Sequence, residues 1–101
     1  MVVQNHGRRV ATKFMTVLAQ PSRGPRDRLG IVASRRLGGA VIRNRAKRRL
    51  REIFRQQQMS AARALDFVVI PRRELISAPF PVVRADFQAV LQRLRTQAGQ
   101  P

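Results

Sequence analysis

Apolar and polar positions follow a helical period through the middle of the chain. At about 100° per residue, Ile42, Ala46, Leu50, Ile53 and Phe54 gather within roughly 120° of one face. Asn44, Arg45, Lys47, Arg48, Arg51 and Arg55 occupy about 140° to 300° of the same wheel. Gly38 and Gly39 precede the run, and no proline interrupts it. The spacing predicts an amphipathic helix running to about Gln58 and at most to Arg63. Its polar side is almost wholly cationic. Seven of the 21 basic residues lie between Arg43 and Arg55, against one acid, Glu52. Lys47, Arg51 and Arg55 stack at i, i+4 with no acid among them, a self-repulsion that a bound polyanion relieves.

Other stretches carry a period of two. From Arg8 to Ala19, Val10, Thr12, Phe14, Thr16 and Leu18 fall on one face and Ala11, Lys13, Met15 and Val17 on the other. Apolar residues on both faces place this run at the centre of a sheet. A kink near Thr12-Lys13 is expected to divide it into a short strand and a longer one. Pro21, Ser22, Gly24, Pro25 and Asp27 mark a loop. Arg28–Ser34 reads as the next strand, with a spacing that suits an antiparallel partner. Asp66–Ile70, ended by Pro71, reads as a buried central strand. Residues 72–80 read as an irregular connection. Pro81 suits a first helical position, and Val83, Phe87, Val90, Leu91 and Leu94 recur as the apolar face of a core helix. Residues 1–7 read either as the end of a helix stopped by Gly7 or as a frayed end.

These elements predict a single α+β domain over residues 1–101, a two-layer sandwich with one sheet covered on one face by the two amphipathic helices. The apolar stripe of the basic helix is then committed to the sheet, and its cationic side faces outward.

Composition sharpens that picture. The 101 residues carry a net charge of +16, which favours nucleic acid or another acidic partner. A basic amphipathic helix also suits an acidic membrane or a calmodulin-like partner. No large spare apolar face is left for a membrane once the stripe packs on the sheet. The bland alternative is a solvated helix in an arginine-biased chain, since Lys13 and Lys47 are the only lysines. There is no cysteine, so disulfides and thiolate metal sites are excluded. No signal-like or membrane-spanning run is visible, and a cytoplasmic location is expected.

The census of reactive side chains argues against a self-contained catalytic centre. Asp27, Glu52, Asp66, Glu74 and Asp86 are dispersed, His6 is the only histidine and there is no tyrosine. Catalytic triads and two-metal carboxylate pairs are thereby unsupported. Gly38-Gly39 lacks the lysine of a phosphate-binding loop. The five phenylalanines lie mostly on core-facing patterns, leaving few platforms for base stacking. No protein-held metal and no small-molecule substrate are expected.

The succession Arg28-Leu29-Gly30-Ile31-Val32-Ala33-Ser34-Arg35-Arg36, then Gly38-x-Ala40-Val41-x-Arg43-Asn44-Arg45-x-Lys47-Arg48-x-x-Arg51-Glu52-x-Phe54-Arg55, resembles the protein subunit of bacterial ribonuclease P. The likeness continues through Asp66–Ile70 and the last helix, over roughly residues 4 to 97. It implies a four-stranded sheet similar to domain 2 of ribosomal protein S5, with a left-handed β-α-β crossover, where handedness rules alone favour a right-handed one. It implies a catalytic RNA partner whose Mg²⁺ ions drive removal of the 5′ leader of precursor tRNA. It further implies that Arg35, Arg36, Arg43, Asn44, Arg45, Lys47, Arg48 and Arg51 bind RNA. On the same resemblance, the strand Phe14 to Leu18 floors a leader cleft, lined by Lys13, Met15 and Val17. Val17 stands where the family often has an aromatic, a loss worth about 1–3 kcal/mol per stacked base. Only residues 4–9 match the end of the family's N-terminal helix, so that helix is expected to be truncated or absent. Two readings stay open there: a start upstream of Met1, or loss of part of the leader site. The competing functions are a structural ribosomal or nucleoid protein and a free-standing protein nuclease.

Overall fold

The computed structural model describes residues 8–57 and 64–98. The expected helix end at Gln4–Gly7 and any extension of the basic helix beyond Gln57 lie outside them. In chain order the elements are β1 (Arg8–Ala11), β2 (Met15–Pro21), β3 (Arg28–Ile31), α1 (Ala40–Gln56), β4 (Leu65–Pro71), α2 (Arg73–Ser77) and α3 (Phe80–Ala98). A 3-10 turn at Arg35–Leu37 leads into α1.

The four strands form one mixed sheet in the order β1-β2-β4-β3. β2 runs antiparallel to both β1 and β4, while β3 runs parallel to β4. Two expectations are corrected here. The Arg8–Ala19 run does divide at residues 12–14 into a short strand and a longer one, but by a hairpin reversal and not a kink, so that Val10 pairs with Val17 and Ala11 with Thr16. The chain reverses because the Thr12 hydroxyl accepts the backbone N–H groups of Phe14 (3.1 Å) and Met15 (3.3 Å), a side-chain turn that competes with strand extension. The antiparallel partner expected for β3 is also wrong. β4 inserts between β2 and β3, and the α1 crossover makes β3 and β4 parallel.

One alternation decides the core. Val10, Met15, Val17, Ala19, Leu65, Phe67 and Val69 all point to the same side of the sheet and are buried. Ala46, Leu50 and Ile53 of α1 and Val83, Phe87, Leu91 and Leu94 of α3 meet them there in a single cluster. Both long helices therefore cover one face, as the apolar stripes predict. The connection at residues 72–80, expected to be irregular, contains the short helix α2. Arg49 holds its end: Nη1 donates to the carbonyls of Leu75 (3.0 Å) and Ala78 (2.9 Å). At the opposite end of the sheet, Asp27 accepts the backbone N–H of Leu65 at 2.7 Å and pairs with Arg95 of α3.

Candidate nucleic-acid interface

Helix α1 starts where Gly38 turns the backbone to φ 149°, a conformation open to glycine and costly for other residues. Gly39 is its N-cap and donates no side-chain cap; no acid lies in the first turn. The helix dipole and the first N–H groups thus add positive potential beside Arg43. From there α1 turns its stripe of Ala46, Leu50 and Ile53 fully inward. The opposite side is an open groove lined by Asn44, Lys47, Arg48, Arg51, Glu52 and Arg55.

Glu52, the one acid in the groove, is engaged by the side chains of Arg55 and Gln56. Arg45, Arg48 and Arg51 are exposed, and Arg43 and Lys47 half-buried. Among the described residues, ion pairs form only at Arg28–Asp66, Arg55–Glu52 and Arg95–Asp27. The predicted cations of α1 are therefore brought together; Glu52 is the single acid lining the groove with them, and Arg43, Arg45, Lys47, Arg48 and Arg51 form no ion pair among the described residues. Arg35 and Arg36 are exposed in the 3-10 turn that precedes the helix. Arg49, inside the same basic run, is spent on the α2 carbonyls.

The expected leader-cleft residues fare differently. Met15 and Val17 are both 0% exposed and face the helices, so neither can line an open cleft. The reason is that their row aligns with Phe67 and Val69, the largest apolar set of the sheet, and burial follows that set. The base-stacking loss expected at Val17 therefore does not arise, because its side chain lies in the core. Lys13 is exposed, in the β1–β2 turn, with Nζ 6.0 Å from the Phe14 ring centre. The uncovered face of the sheet is formed by the other alternation. Arg9, Leu18, Val68 and Gly30 align across the four strands, and Ala11, Thr16 and Ile70 align beside them. Leu18 and Ile70 are 37% and 39% exposed. Alternation within β2 alone contained this signal; carried unbroken from Arg8 to Ala19 it groups Val10 with Leu18, whereas the hairpin sets Val10 opposite Val17 and Ala11 opposite Thr16.

Carboxylates do not converge. Among the described residues no three His, Cys, Asp or Glu side chains come together as a metal site. Asp27, Glu52, Asp66 and Asp86 each accept a hydrogen bond from a neighbouring side chain. Arg28 hydrogen-bonds Asp66 through two nitrogens at 2.9 Å, and that contact holds the Asp66 carboxyl below the usual carboxylate range. No described helix is long and apolar enough to cross a membrane.

A cationic helix laid across a four-stranded mixed sheet defines a small α+β protein with one basic outer face. The family model for Ribonuclease P matches residues 1–95, and the chain belongs to that family. It is 37% identical over 100 residues to the ribonuclease P protein component of Erythrobacter litoralis, covering 96% of this chain and 81% of that one. The RNase P protein from Thermotoga maritima superposes with a TM-score of 0.77 at 35% identity, covering 86% of this chain and 83% of the other. That from Staphylococcus aureus gives 0.74 at 32% identity, covering 85% and 79%. Membership of that family implies a role in tRNA 5′ processing.

Proposed function

We propose that the outer face of α1 binds the catalytic RNA of ribonuclease P, and that the uncovered sheet face receives the single-stranded 5′ leader of precursor tRNA. The RNA carries the hydrolysis. The observation that supports this most is the division of α1. Asn44, Lys47, Arg48 and Arg51 share one groove, while Ala46, Leu50 and Ile53 behind them are wholly buried. Arginine forks match phosphate oxygens in pairs, and Lys47 adds a point charge. The cations sit on a helix that the core holds rigid, so little ordering is required on binding.

The open sheet face offers aliphatic contact at Leu18, Val68 and Ile70, with Arg9 in the same cross-strand row. Bases there meet apolar surface without an aromatic platform, and the backbone meets cations. Four of the five carboxylates are engaged by neighbouring side chains, a donor set that does not fit a protein-held Mg²⁺. In this reading the Mg²⁺ is held by the RNA, and the protein acts in the cytoplasm by binding and orienting RNA. Screening of RNA phosphates by the basic faces lowers the Mg²⁺ needed for assembly.

The test is reconstitution. The purified chain added to the RNA subunit at low Mg²⁺ should stimulate leader removal, and the chain alone should not cleave. Cleavage by the chain alone, or no stimulation under conditions where the two bind, would contradict the proposal.

A further inference from the structure

β3 and β4 end at the same end of the sheet, where β2 begins. Three connections therefore meet there: the β1–β2 turn, the segment from β3 to α1, and the segment after β4. They carry Lys13, Arg35 and Arg36, and Arg72 and Arg73 respectively, all exposed. The strand order spaces them over about three interstrand gaps, roughly 14 Å, comparable to about four phosphates at 3.4 Å along one strand.

The cations after β4 are held in fixed positions. The Arg72 backbone N–H donates to the Phe14 carbonyl at 2.8 Å, which joins the segment to the turn that bears Lys13. Arg49 of α1 binds the carbonyls that follow, at Leu75 and Ala78. Of the two acids nearby in the chain, Asp86 accepts the Thr12 hydroxyl at 2.8 Å and Glu74 is exposed. None of the five cations is in an ion pair among the described residues.

We propose that Lys13, Arg72 and Arg73 form a second phosphate-binding cluster, separate from the α1 groove, that takes the backbone of the same RNA subunit. The inference rests on the proposed function, because it needs α1 to dock on that RNA. Arg49 then has a positioning role: it fixes the second cluster relative to the first.

Equilibrium binding of the full chain to the RNA subunit over a range of monovalent salt tests this. The double variant Lys13→Gln/Arg73→Gln should lower the slope of log K against log salt by about 1.5, from two contacts at 0.7–0.9 each. The charge-matched variant Arg84→Gln/Arg93→Gln on α3 should leave the slope within about 0.3 of the parent, as expected when no phosphate contact is lost. Lys13→Arg/Arg73→Lys should restore it. An unchanged slope in the first variant, or an equal drop in the second, overturns the cluster. Arg45→Ala/Arg48→Ala, measured in parallel, separates the two failures. If it weakens binding while Lys13→Gln/Arg73→Gln does not, only the second cluster is lost. If neither weakens binding, the proposed role of α1 fails as well.

Discussion

Arg49 Nη1 lies 2.9 Å from the carbonyl oxygen of Ala78. One arginine from the most basic stretch of the chain thus serves the fold, closing the end of α2 against α1. Removing it leaves several carbonyls without their charged donor. Charge-assisted bonds of this kind are worth about 1.5–3 kcal/mol. Arg49→Ala should therefore lower stability by about 2 kcal/mol in chemical denaturation, whereas Arg48→Ala, on the exposed side, should change it by less than about 0.5 kcal/mol. Equal losses in the two variants would show that Arg49 has no special structural part.

Two adjacent glycines should respond oppositely. At Gly38, with φ 149°, an added Cβ would sit 3.0 Å from the Ile42 side chain. Gly38→Ala is expected to cost more than about 1 kcal/mol. Gly39, the N-cap of α1, has nothing within 4 Å of such an atom. Gly39→Ser supplies the missing side-chain cap and should stabilise by a few tenths of a kcal/mol, within about 0.5. Thermal unfolding of both variants decides the matter.

The Arg28–Asp66 pair sets a pH dependence. Hydrogen bonding to Arg28 depresses the folded Asp66 pKa, so its contribution is present above the unfolded value, about 3.9. It is lost as pH falls through the folded value, in the window below about pH 4. Asp66→Asn removes this contribution. The stability gap between parent and variant should narrow when urea unfolding is repeated from pH 6 down to pH 2.5. A gap that widens on acidification would reverse the sign of the effect.

Much of the architecture was legible in the sequence, for identifiable reasons. The two long helices carry apolar residues at helical spacing, and Ala46, Leu50, Phe87 and Leu91 are buried as that spacing requires. β4 stood out as an apolar run ended by Pro71. The hairpin was hidden because Thr12-Lys13-Phe14 contains no glycine, proline or asparagine; a threonine hydroxyl makes the turn. The pairing of β3 was hidden because its partner lies beyond α1, and a short loop after β2 mimics a hairpin connection. The cationic side of α1 could be read from spacing alone. Arg49 could not be separated from it, since its place at the margin of the apolar stripe acquires meaning only with α2 beside it. Met15 and Val17 were expected in the cleft on the resemblance alone; alternation could not correct this, because it defines two faces without naming the buried one, and both side chains are buried.

The open sheet face yields a further expectation. Leu18 lies between Arg9 and Val68 in one cross-strand row, and Ile70 lies in the next row, paired with Thr16. If leader bases rest on this aliphatic surface, Leu18→Asp should weaken holoenzyme binding of precursor tRNA at least tenfold, about 1.4 kcal/mol, with little effect on mature tRNA. Competition binding with both RNAs checks it. Equal weakening for the two would place the leader elsewhere.

The most direct test of the central claim is the salt dependence of RNA-subunit binding by Arg48→Ala/Arg51→Ala. Both side chains line the α1 groove, and neither contributes to the buried core. Loss of two phosphate contacts predicts weaker binding and a slope reduced by about 1.4–1.8, with an unaltered unfolding midpoint. Parent-like affinity and slope across the salt series would contradict the claim that the cationic face of α1 holds the RNA.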